Sequence, residues 1–364
     1  QERKPVEDRD EVRLNATLVQ VPAVVLDRKG KFVTDLTREE FSLFDEGKRQ
    51  EISLFTAIKQ NFNAVLVLDT SNSAEDRLKV IQNTALSFAR QVTANDPMMV
   101  ISFDNEIRQL TDFTTDQAEI EQAIKSTESG FGKLLHEAIA RGLEQLRERE
   151  GRRALIIFSD GIDLGSVGVT ADSNIRLAEE IGAVIYAVKF DTRWFIEAEA
   201  RRNKAESSKQ SSSPFEIDGR IPLPPDFGGT DPDEKKEKRG PRIEIGPPPP
   251  PLITVTDAVT GRTESNRKVV IDPITTHLDK MYGEADNYLT TLAQRTGGAV
   301  FSAANLDNTL AAFALIADEL RNQYMIGFYP SSERRDGKFR KIKLEVKRKD
   351  IQVRARQGYR PTKE

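Results

Sequence analysis

Two groups of acidic and hydroxyl side chains are the residues of this chain best suited to chemistry. Asp69, Ser71 and Ser73 follow an apolar run in an Asp-x-Ser-x-Ser pattern, and Asp160 follows another apolar run within Ser-Asp-Gly. These side chains offer only oxygen atoms, including two carboxylates. Mg²⁺ prefers hard oxygen ligands, keeps several of its waters and needs only one or two carboxylates. The pattern predicts a site for Mg²⁺ or Mn²⁺ formed by these four residues.

The same pattern also has a purely structural interpretation. An Asp followed by hydroxyl residues often caps a helix or forms a turn where a strand passes into a helix, because the side-chain oxygens accept backbone N–H groups. The metal interpretation depends on the second acidic residue, Asp160, which follows a separate apolar run.

The elements around these residues are expected to bring them to one edge of a sheet. Continuous apolar runs are typical of parallel strands that are buried on both faces, and here they alternate with amphipathic helical patterns. This alternation predicts βαβ units and a doubly wound, mostly parallel sheet, in which ligands bind beyond the carboxyl ends of the strands. Four such runs lie at 64–69, 98–103, 154–160 and 183–190.

Both ends of the chain carry β-type patterns. After a charged, flexible stretch at 1–11, residues 12–58 and 324–360 alternate apolar and polar residues and contain turn signals. We expect these two segments to form one small all-β domain, with an α/β domain (61–195 plus 284–323) inserted into it.

A proline-rich segment interrupts the α/β pattern. Residues 196–251 hold 11 of the 17 prolines, including Pro247–Pro251, among many Ser and charged residues. Such a composition cannot bury a core, so the segment is predicted to be disordered. Residues 252–275 have the pattern of a β-hairpin.

Composition excludes several classes of function. The chain has 364 residues, with 54 Lys and Arg against 58 Asp and Glu, and this balance argues against a nucleic-acid-binding protein. Because it has no Cys, disulfide scaffolds, thiolate metal sites and cysteine nucleophiles are excluded. No apolar run reaches the ~18 residues of a transmembrane helix. The first residue is Gln1 rather than Met, which predicts a removed secretory signal and an extracytoplasmic location.

The Asp69–Ser73 and Ser159–Gly161 motifs together resemble the metal-ion-dependent adhesion site of von Willebrand factor type A domains. The chain as a whole most resembles the acidobacterial family of proteins related to these domains. That resemblance implies a Rossmann-like sheet with flanking helices. It covers nearly all of the chain outside the proline-rich segment, and rests further on the segments 25–52, 110–116, 159–166, 292–301, 319–330 and 340–359.

The resemblance implies that Ser71 and Ser73 coordinate a metal directly, while Asp69 and Asp160 act through water. It also implies a threonine ligand on the loop at residues 130–133, which we call the middle loop. Lys133 stands where that threonine is expected. A lysine there would repel a divalent cation and could itself act as the counter-ion of the two carboxylates. Alternatively, Lys133 points to solvent and either Thr127 or Ser129 replaces the missing ligand.

These observations predict a non-enzymatic protein-binding module of the adhesion type. If a metal is bound, a carboxylate of a protein partner would complete its coordination shell, as the resemblance implies. Two alternatives remain: a metal-assisted hydrolase that uses the same carboxylates, and a structural scaffold with an inactive metal site. The sequence has no nucleophile elbow and no cofactor fingerprint that would favour an enzyme.

Overall fold

The computed structural model describes residues 18–57, 61–71, 75–92, 95–190, 192–193, 273–303, 306–330 and 336–361. All of them belong to one compact unit within Gln1–Ala198 and Pro273–Glu364. The predictions for the flexible N-terminus and the proline-rich segment lie outside the described residues. So does the predicted hairpin up to residue 272.

The described residues form fourteen strands, six α-helices and one 3-10 helix (Arg38–Glu40). In chain order the strands are β1 (Val19–Asp27), β2 (Phe41–Asp45), β3 (Lys48–Gln50), β4 (Leu54–Ala57), β5 (Phe62–Asp69), β6 (Met98–Phe103), β7 (Ile107–Gln109), β8 (Arg152–Ser159), β9 (Val184–Phe190), β10 (Val300–Ala303), β11 (Tyr324–Phe328), β12 (Arg340–Val346), β13 (Ile351–Ala355) and β14 (Gly358–Tyr359). The helices are α1 (Glu75–Gln91), α2 (Gln117–Lys125), α3 (Leu135–Arg147), α4 (Ala171–Ile181), α5 (Pro273–Thr296) and α6 (Leu306–Arg321).

The central sheet has six strands in the order β10-β9-β8-β5-β6-β7. All neighbours are parallel except β7, which is antiparallel to β6. Asp69, the last residue of β5, is in register with Phe103 of β6, and Leu68 is in register with Phe158 of β8. The register therefore ends β5 and β8 at the same edge, as the sequence predicts.

Helices cover both faces of this sheet. Successive residues of β5 alternate between two cores, because side chains on a strand point to opposite faces. Leu66 and Leu68 pack with α1, α2 and α6. Val65 and Val67 pack with α3, α4 and α5. This arrangement confirms the predicted doubly wound α/β fold.

Two smaller antiparallel sheets are built from both ends of the chain. Their orders are β13-β1-β11-β4 and β14-β12-β2-β3, so each combines strands from before and after the α/β domain. They share a third core around Tyr324. The Tyr324 hydroxyl donates to Val33 O and accepts from Leu36 N, each at 2.9 Å. The prediction of an α/β domain inserted into a small all-β domain is confirmed.

Helix α5 begins earlier than its amphipathic pattern suggests. The sequence predicts a hairpin up to residue 275 and a helix from about 288, whereas α5 begins at Pro273, a residue type that favours the first helical turn. Leu278, Tyr282 and Ala285 are buried with Ile162 beside the carboxyl edge of the sheet. Their helical spacing is the signal that the hairpin interpretation overlooks.

Candidate functional site

The candidate site lies at the carboxyl edge of the central sheet. Asp69 ends β5, and Asp160 directly follows β8, the parallel neighbour of β5. Neither carboxyl group is exposed to solvent. The structure thus brings together the two acidic residues singled out from the sequence.

Lys133 lies between these two carboxylates. Its Nζ atom is 2.7 Å from Asp160 Oδ2 and 3.5 Å from Asp69 Oδ2, and the residue is only 4% exposed. The alternative in which Lys133 points to solvent is therefore wrong. The loop that carries it is held from both sides, because Leu134 N donates to Asp104 O at 3.0 Å and Lys133 O accepts from Leu164 N at 3.0 Å.

Hydroxyl groups occupy the remaining positions around Asp69. Asp69 Oδ1 accepts from the backbone N of Ser71 at 3.1 Å and from the Ser71 hydroxyl. Asp69 Oδ2 accepts from Ser159 Oγ at 2.6 Å, and Ser159 Oγ in turn accepts from Gly161 N at 3.1 Å. Ser159 is part of the Ser-Asp-Gly motif, but the sequence does not predict it as a site residue.

Asp160 has its own partners. Besides Lys133, its Oδ2 atom accepts from Thr192 Oγ1 at 2.7 Å, and its Oδ1 atom accepts from Ile162 N at 3.1 Å. The Thr192 hydroxyl also shares a hydrogen bond with Tyr282 of α5. Sequence reasoning misses Thr192 and Tyr282. The one usable signal is the position of Thr192 just after the fourth apolar run, at the same edge of the sheet as Asp160.

Ser73, the fourth predicted ligand, lies outside the described residues, as do its neighbours at 72 and 74. The structure therefore brings Asp69, Ser71 and Asp160 together and does not place Ser73.

The two candidate replacement ligands lie elsewhere in the hydrogen-bond network. Thr127 Oγ1 donates to Ile124 O at 2.8 Å, at the end of α2. Ser129 Oγ donates to Thr70 O at 3.4 Å. The Thr127 hydroxyl also accepts from Gln82 Nε2 at 3.1 Å, whereas Lys133 is the middle-loop side chain that contacts both Asp69 and Asp160.

The electrostatics of the cluster follow from its burial. Burial raises the pKa of Asp69, because it disfavours the charged carboxylate. Burial works to lower the pKa of Lys133, but the charges of Asp69 and Asp160 outweigh it and hold that pKa above its usual value. Lys133 is therefore an ammonium ion at neutral pH, and it supplies the positive charge that the carboxylates need.

With Lys133 in this position, the cluster does not fit a divalent cation. The Lys133 ammonium contacts the Oδ2 atoms of both Asp69 and Asp160, and the Ser159 and Thr192 hydroxyl groups bind the same two oxygens. A cation between the carboxylates would meet a positive charge at contact distance. Among the described ranges, no group of three His, Cys, Asp or Glu residues could hold a metal ion.

Gly130 allows the middle loop to approach the sheet closely. A Cβ atom at Gly130 would lie 2.0 Å from Asp104 Oδ2, which binds Arg108 Nη1 at 2.7 Å. Gly130 N also donates to Thr70 O at 3.2 Å, and Ser71 and Gly130 form an isolated parallel bridge. The glycine thus ties the Lys133 loop to the end of β5.

Three large apolar side chains on the same loops face solvent. Phe131, Leu164 and Val167 are 81%, 63% and 85% exposed, and we call them the apolar patch. Phe131 is two residues before Lys133, and Leu164 N binds Lys133 O. The three exposed side chains therefore lie on two loops that meet at Lys133, with Phe131 on one loop and Leu164 and Val167 on the other.

Comparison with known families gives a match to part of the chain. Residues 64–162, from β5 to the loop after β8, match the family model of the von Willebrand factor type A domain. This part of the chain is thus similar to such a domain and includes Asp69, Lys133 and Asp160. The finer resemblance, to the acidobacterial family, stays a prediction. The comparison with curated proteins found no match.

Solved structures show weaker similarity. The von Willebrand factor domain of the type V pili tip protein Mfa5 from Porphyromonas gingivalis is 22% identical, with 29% of this chain and 40% of that chain covered and a TM-score of 0.28. BatB from Bacteroides thetaiotaomicron is 23% identical, with 36% and 67% covered and a TM-score of 0.32. An aerotolerance-related membrane protein from Bacteroides fragilis is 15% identical, with 71% and 98% covered and a TM-score of 0.39. At these TM-scores the structures add nothing to the family match.

Proposed function

We propose that this chain is a non-enzymatic protein-binding module that recognises its partner through the loops at the carboxyl edge of the central sheet, without a divalent cation. The observation that carries the proposal is the position of Lys133 Nζ, 2.7 Å from Asp160 Oδ2 and 3.5 Å from Asp69 Oδ2. Lys133 is the built-in cation of the site, so no metal-bound carboxylate of a partner takes part in recognition.

The binding surface in this proposal is the outer face of the loops that carry Phe131, Leu164 and Val167. Hydrogen bonds join these loops to one another and to the sheet: Gly130 N binds Thr70 O, Leu134 N binds Asp104 O and Leu164 N binds Lys133 O. A surface ordered in advance loses little conformational entropy when it binds. The match of residues 64–162 to the von Willebrand factor type A domain supports the same role, because the resemblance to such domains implies protein binding.

Catalysis at this cluster is not part of the proposed role. Asp69 and Asp160 are fully buried, and both are held by Lys133 and by hydroxyl groups. A general base needs to reach the proton that it abstracts, and these carboxylates are not open to a substrate. We expect that any hydrolysis of p-nitrophenyl acetate or p-nitrophenyl phosphate by the wild type is unchanged in Asp69→Asn.

Location outside the cytoplasm is a further element of the proposal. No helix in the described part of the chain is long and apolar enough to cross a membrane. Fractionation of the native host, with an antibody against the full chain, would test the location directly.

A peptide selection tests the binding role. The immobilised full chain is used to select from a random-peptide phage library, once in EDTA and once in millimolar Mg²⁺. Each pool is then counter-selected against a loop variant, Phe131→Ser with Leu164→Ser and Val167→Ser. We expect peptides that bind the wild type but not the loop variant, in equal yield under both conditions.

Leu315→Ser provides the matched control, because Leu315 is an exposed apolar residue on α6 rather than on these loops. The control should retain the selected peptides. Absence of any peptide that depends on the loops would contradict the binding role, and recovery in Mg²⁺ alone would contradict the metal-free site.

A further inference from the structure

We infer that the partner segment taken by this face combines apolar side chains with lysine or arginine, so that the module recognises a basic, apolar peptide rather than an acidic one. The inference deepens the proposed function and rests on it. It concerns the apolar patch and the charges around it.

The apolar patch is unusually exposed. Its three members have the three highest exposures among the large hydrophobic residues that the structure describes. The other exposed ones, Leu315, Tyr329 and Val80, are at 48%, 51% and 36%, and none lies on these loops. Isolated exposed apolar residues are ordinary, whereas a group on adjoining loops is typical of an interaction site.

Hydrogen bonds hold the loop between β8 and α4 in position. Val167 N donates to Glu137 Oε1 at 2.8 Å, and Ser166 Oγ donates to Asp163 Oδ1 at 2.6 Å. Asp163 Oδ1 also accepts from His136 N at 2.9 Å, at the first turn of α3. The apolar side chains at 164 and 167 are therefore displayed from an ordered backbone.

The charges around the patch are mostly negative. Residues 104–108, 128–137 and 160–172 hold seven carboxylates and two cationic residues, Arg108 and Lys133. Asp104 and Asp160 are buried and paired with these two cations, which leaves five carboxylates and no unpaired Lys or Arg in these ranges. The seven carboxylates are Asp104, Glu106, Glu128, Glu137, Asp160, Asp163 and Asp172.

His136 adds no compensating charge near neutral pH. Burial lowers its pKa, and the nearby Asp163 only partly opposes that effect. The face therefore presents apolar side chains within a negative field. Complementary charge increases both the rate and the specificity of association, whereas like charges oppose it. An acidic partner would meet this field without a metal ion to bridge it.

The peptides recovered in EDTA test the inference through their composition and affinity. Peptides that need the apolar patch should be enriched in apolar residues and should carry more Lys and Arg than Asp and Glu. A synthetic representative, labelled with fluorescein, is measured by anisotropy against the wild type, the loop variant and Leu315→Ser. We expect at least a tenfold loss of affinity in the loop variant, none in Leu315→Ser, and weaker binding at 0.5 M than at 0.05 M NaCl.

The outcomes separate the inference from the proposed function. Patch-dependent peptides that are acidic, or whose affinity is unaffected by salt, would overturn the inference but leave the binding role intact. Absence of patch-dependent peptides would overturn both. Sedimentation of the wild type alone is the last arm: a self-association that the loop variant abolishes would identify a second copy of this chain as the occupant and overturn the inference.

Discussion

At the scale of single residues, Lys133 is tied to the stability of the protein by its position. It is almost fully buried between Asp69 and Asp160. Removing one partner of a buried ion pair leaves uncompensated charge, which typically costs about 3–5 kcal/mol. We expect Lys133→Met to lower the free energy of unfolding by about that amount at pH 7, as measured by urea denaturation.

Two further variants make this prediction specific. Lys133→Met combined with Asp160→Asn should recover part of the loss, because it removes one of the two unpaired carboxylates. Lys125→Met should cost less than about 1 kcal/mol, since Lys125 forms an exposed pair with Glu121 at 3.2 Å. A loss in Lys133→Met no larger than that in Lys125→Met would show that the buried lysine is not the counter-ion.

Asp45, in β2, carries a second prediction. Burial raises its pKa, Tyr359 Oη donates to its Oδ2 at 3.2 Å, and its Oδ1 has no hydrogen-bond partner among the described residues. Because the unfolded chain ionises this carboxyl at a lower pH than the folded protein does, its contribution to stability falls as the pH rises through the raised pKa. The substitution Asp45→Asn removes the titrating carboxyl group and therefore this loss of stability with rising pH.

Urea denaturation at pH 4 and pH 7 measures this effect. We expect Asp45→Asn to gain stability over the wild type as the pH increases, whereas Asp350→Asn, at an exposed carboxyl of the same domain, should track the wild type at both values. A stability difference between Asp45→Asn and the wild type that stays constant, or shrinks toward pH 7, would contradict the account.

Only some of the site residues can be predicted from the sequence. Asp69 and Asp160 are predictable because each directly follows a continuous apolar run, and two parallel strands end at one edge of a sheet. Thr192 and Tyr282 are not predictable, because one hydroxyl residue after a strand and one tyrosine in a helix have no distinctive spacing. Whether Lys133 points inward depends on the loop path, which the sequence alone leaves open between two alternatives.

At the scale of elements, the middle loop depends on a close approach that only glycine allows. A Cβ atom at Gly130 would overlap the buried Asp104 side chain. Extra atoms in a packed site typically cost about 1–3 kcal/mol. We expect Gly130→Ala to destabilise the protein by that amount and to weaken loop-dependent peptide binding.

Gly283→Ala is the matched control for that substitution. Gly283 lies inside α5, and nothing lies within 4 Å of the position that its Cβ would occupy. Alanine is favoured over glycine in a helix by about 1 kcal/mol, so this variant should be slightly more stable than the wild type. Equal effects of the two substitutions would contradict the close approach at Gly130.

The elements differ in how well the sequence predicts them. Strands β5 and β8 are predictable because each is a continuous apolar run, and their side chains are buried in the cores on both faces of the sheet. The early start of α5 is missed because a Pro-rich neighbourhood and a short β-type pattern dominate the residues before it. The sequence does not predict that Leu278, Tyr282 and Ala285 are buried, because they pack with Ile162, which is far away along the chain.

At the scale of the whole molecule, the α/β domain and the chain ends are joined by buried charges. Glu179 of α4 contacts Arg360 and lies 3.6 Å from Arg295 of α5, and its backbone carbonyl accepts from Arg356. The carboxylate is buried, whereas the two arginines that it contacts are partly exposed. This cluster links the C-terminal strands to the helices that cover the central sheet.

We expect Glu179→Ala to lower the free energy of unfolding by about 2 kcal/mol, the range of a hydrogen bond to a charged group. Glu180→Ala is the control, because Glu180 is more exposed and its contact with Arg147 is 3.8 Å long. Its effect should stay below about 0.5 kcal/mol. Urea denaturation followed by both fluorescence and circular dichroism would measure the two variants, and equal losses would contradict the role of this cluster.

The overall topology is partly predictable from sequence because strands at both ends of a chain must find partners. Val21 and Ile326 pair across β1 and β11, and both lie in the same core as Leu43. The arginines that join the parts are not predictable, because Arg356 and Arg360 belong to a charged, alternating segment in which any of several side chains could face inward.

The central claim is that Lys133 takes the position of a divalent cation, and thermal unfolding tests it most directly. The melting temperature is measured in EDTA and in millimolar Mg²⁺ for the wild type, Lys133→Thr and Asp69→Ala. A cation that binds only the folded state raises stability by ~2.7 kcal/mol at a hundredfold excess over its Kd. We predict no difference between the two conditions for the wild type or Asp69→Ala, and a rise in Mg²⁺ for Lys133→Thr. A rise in the wild type that Asp69→Ala abolishes would contradict the claim.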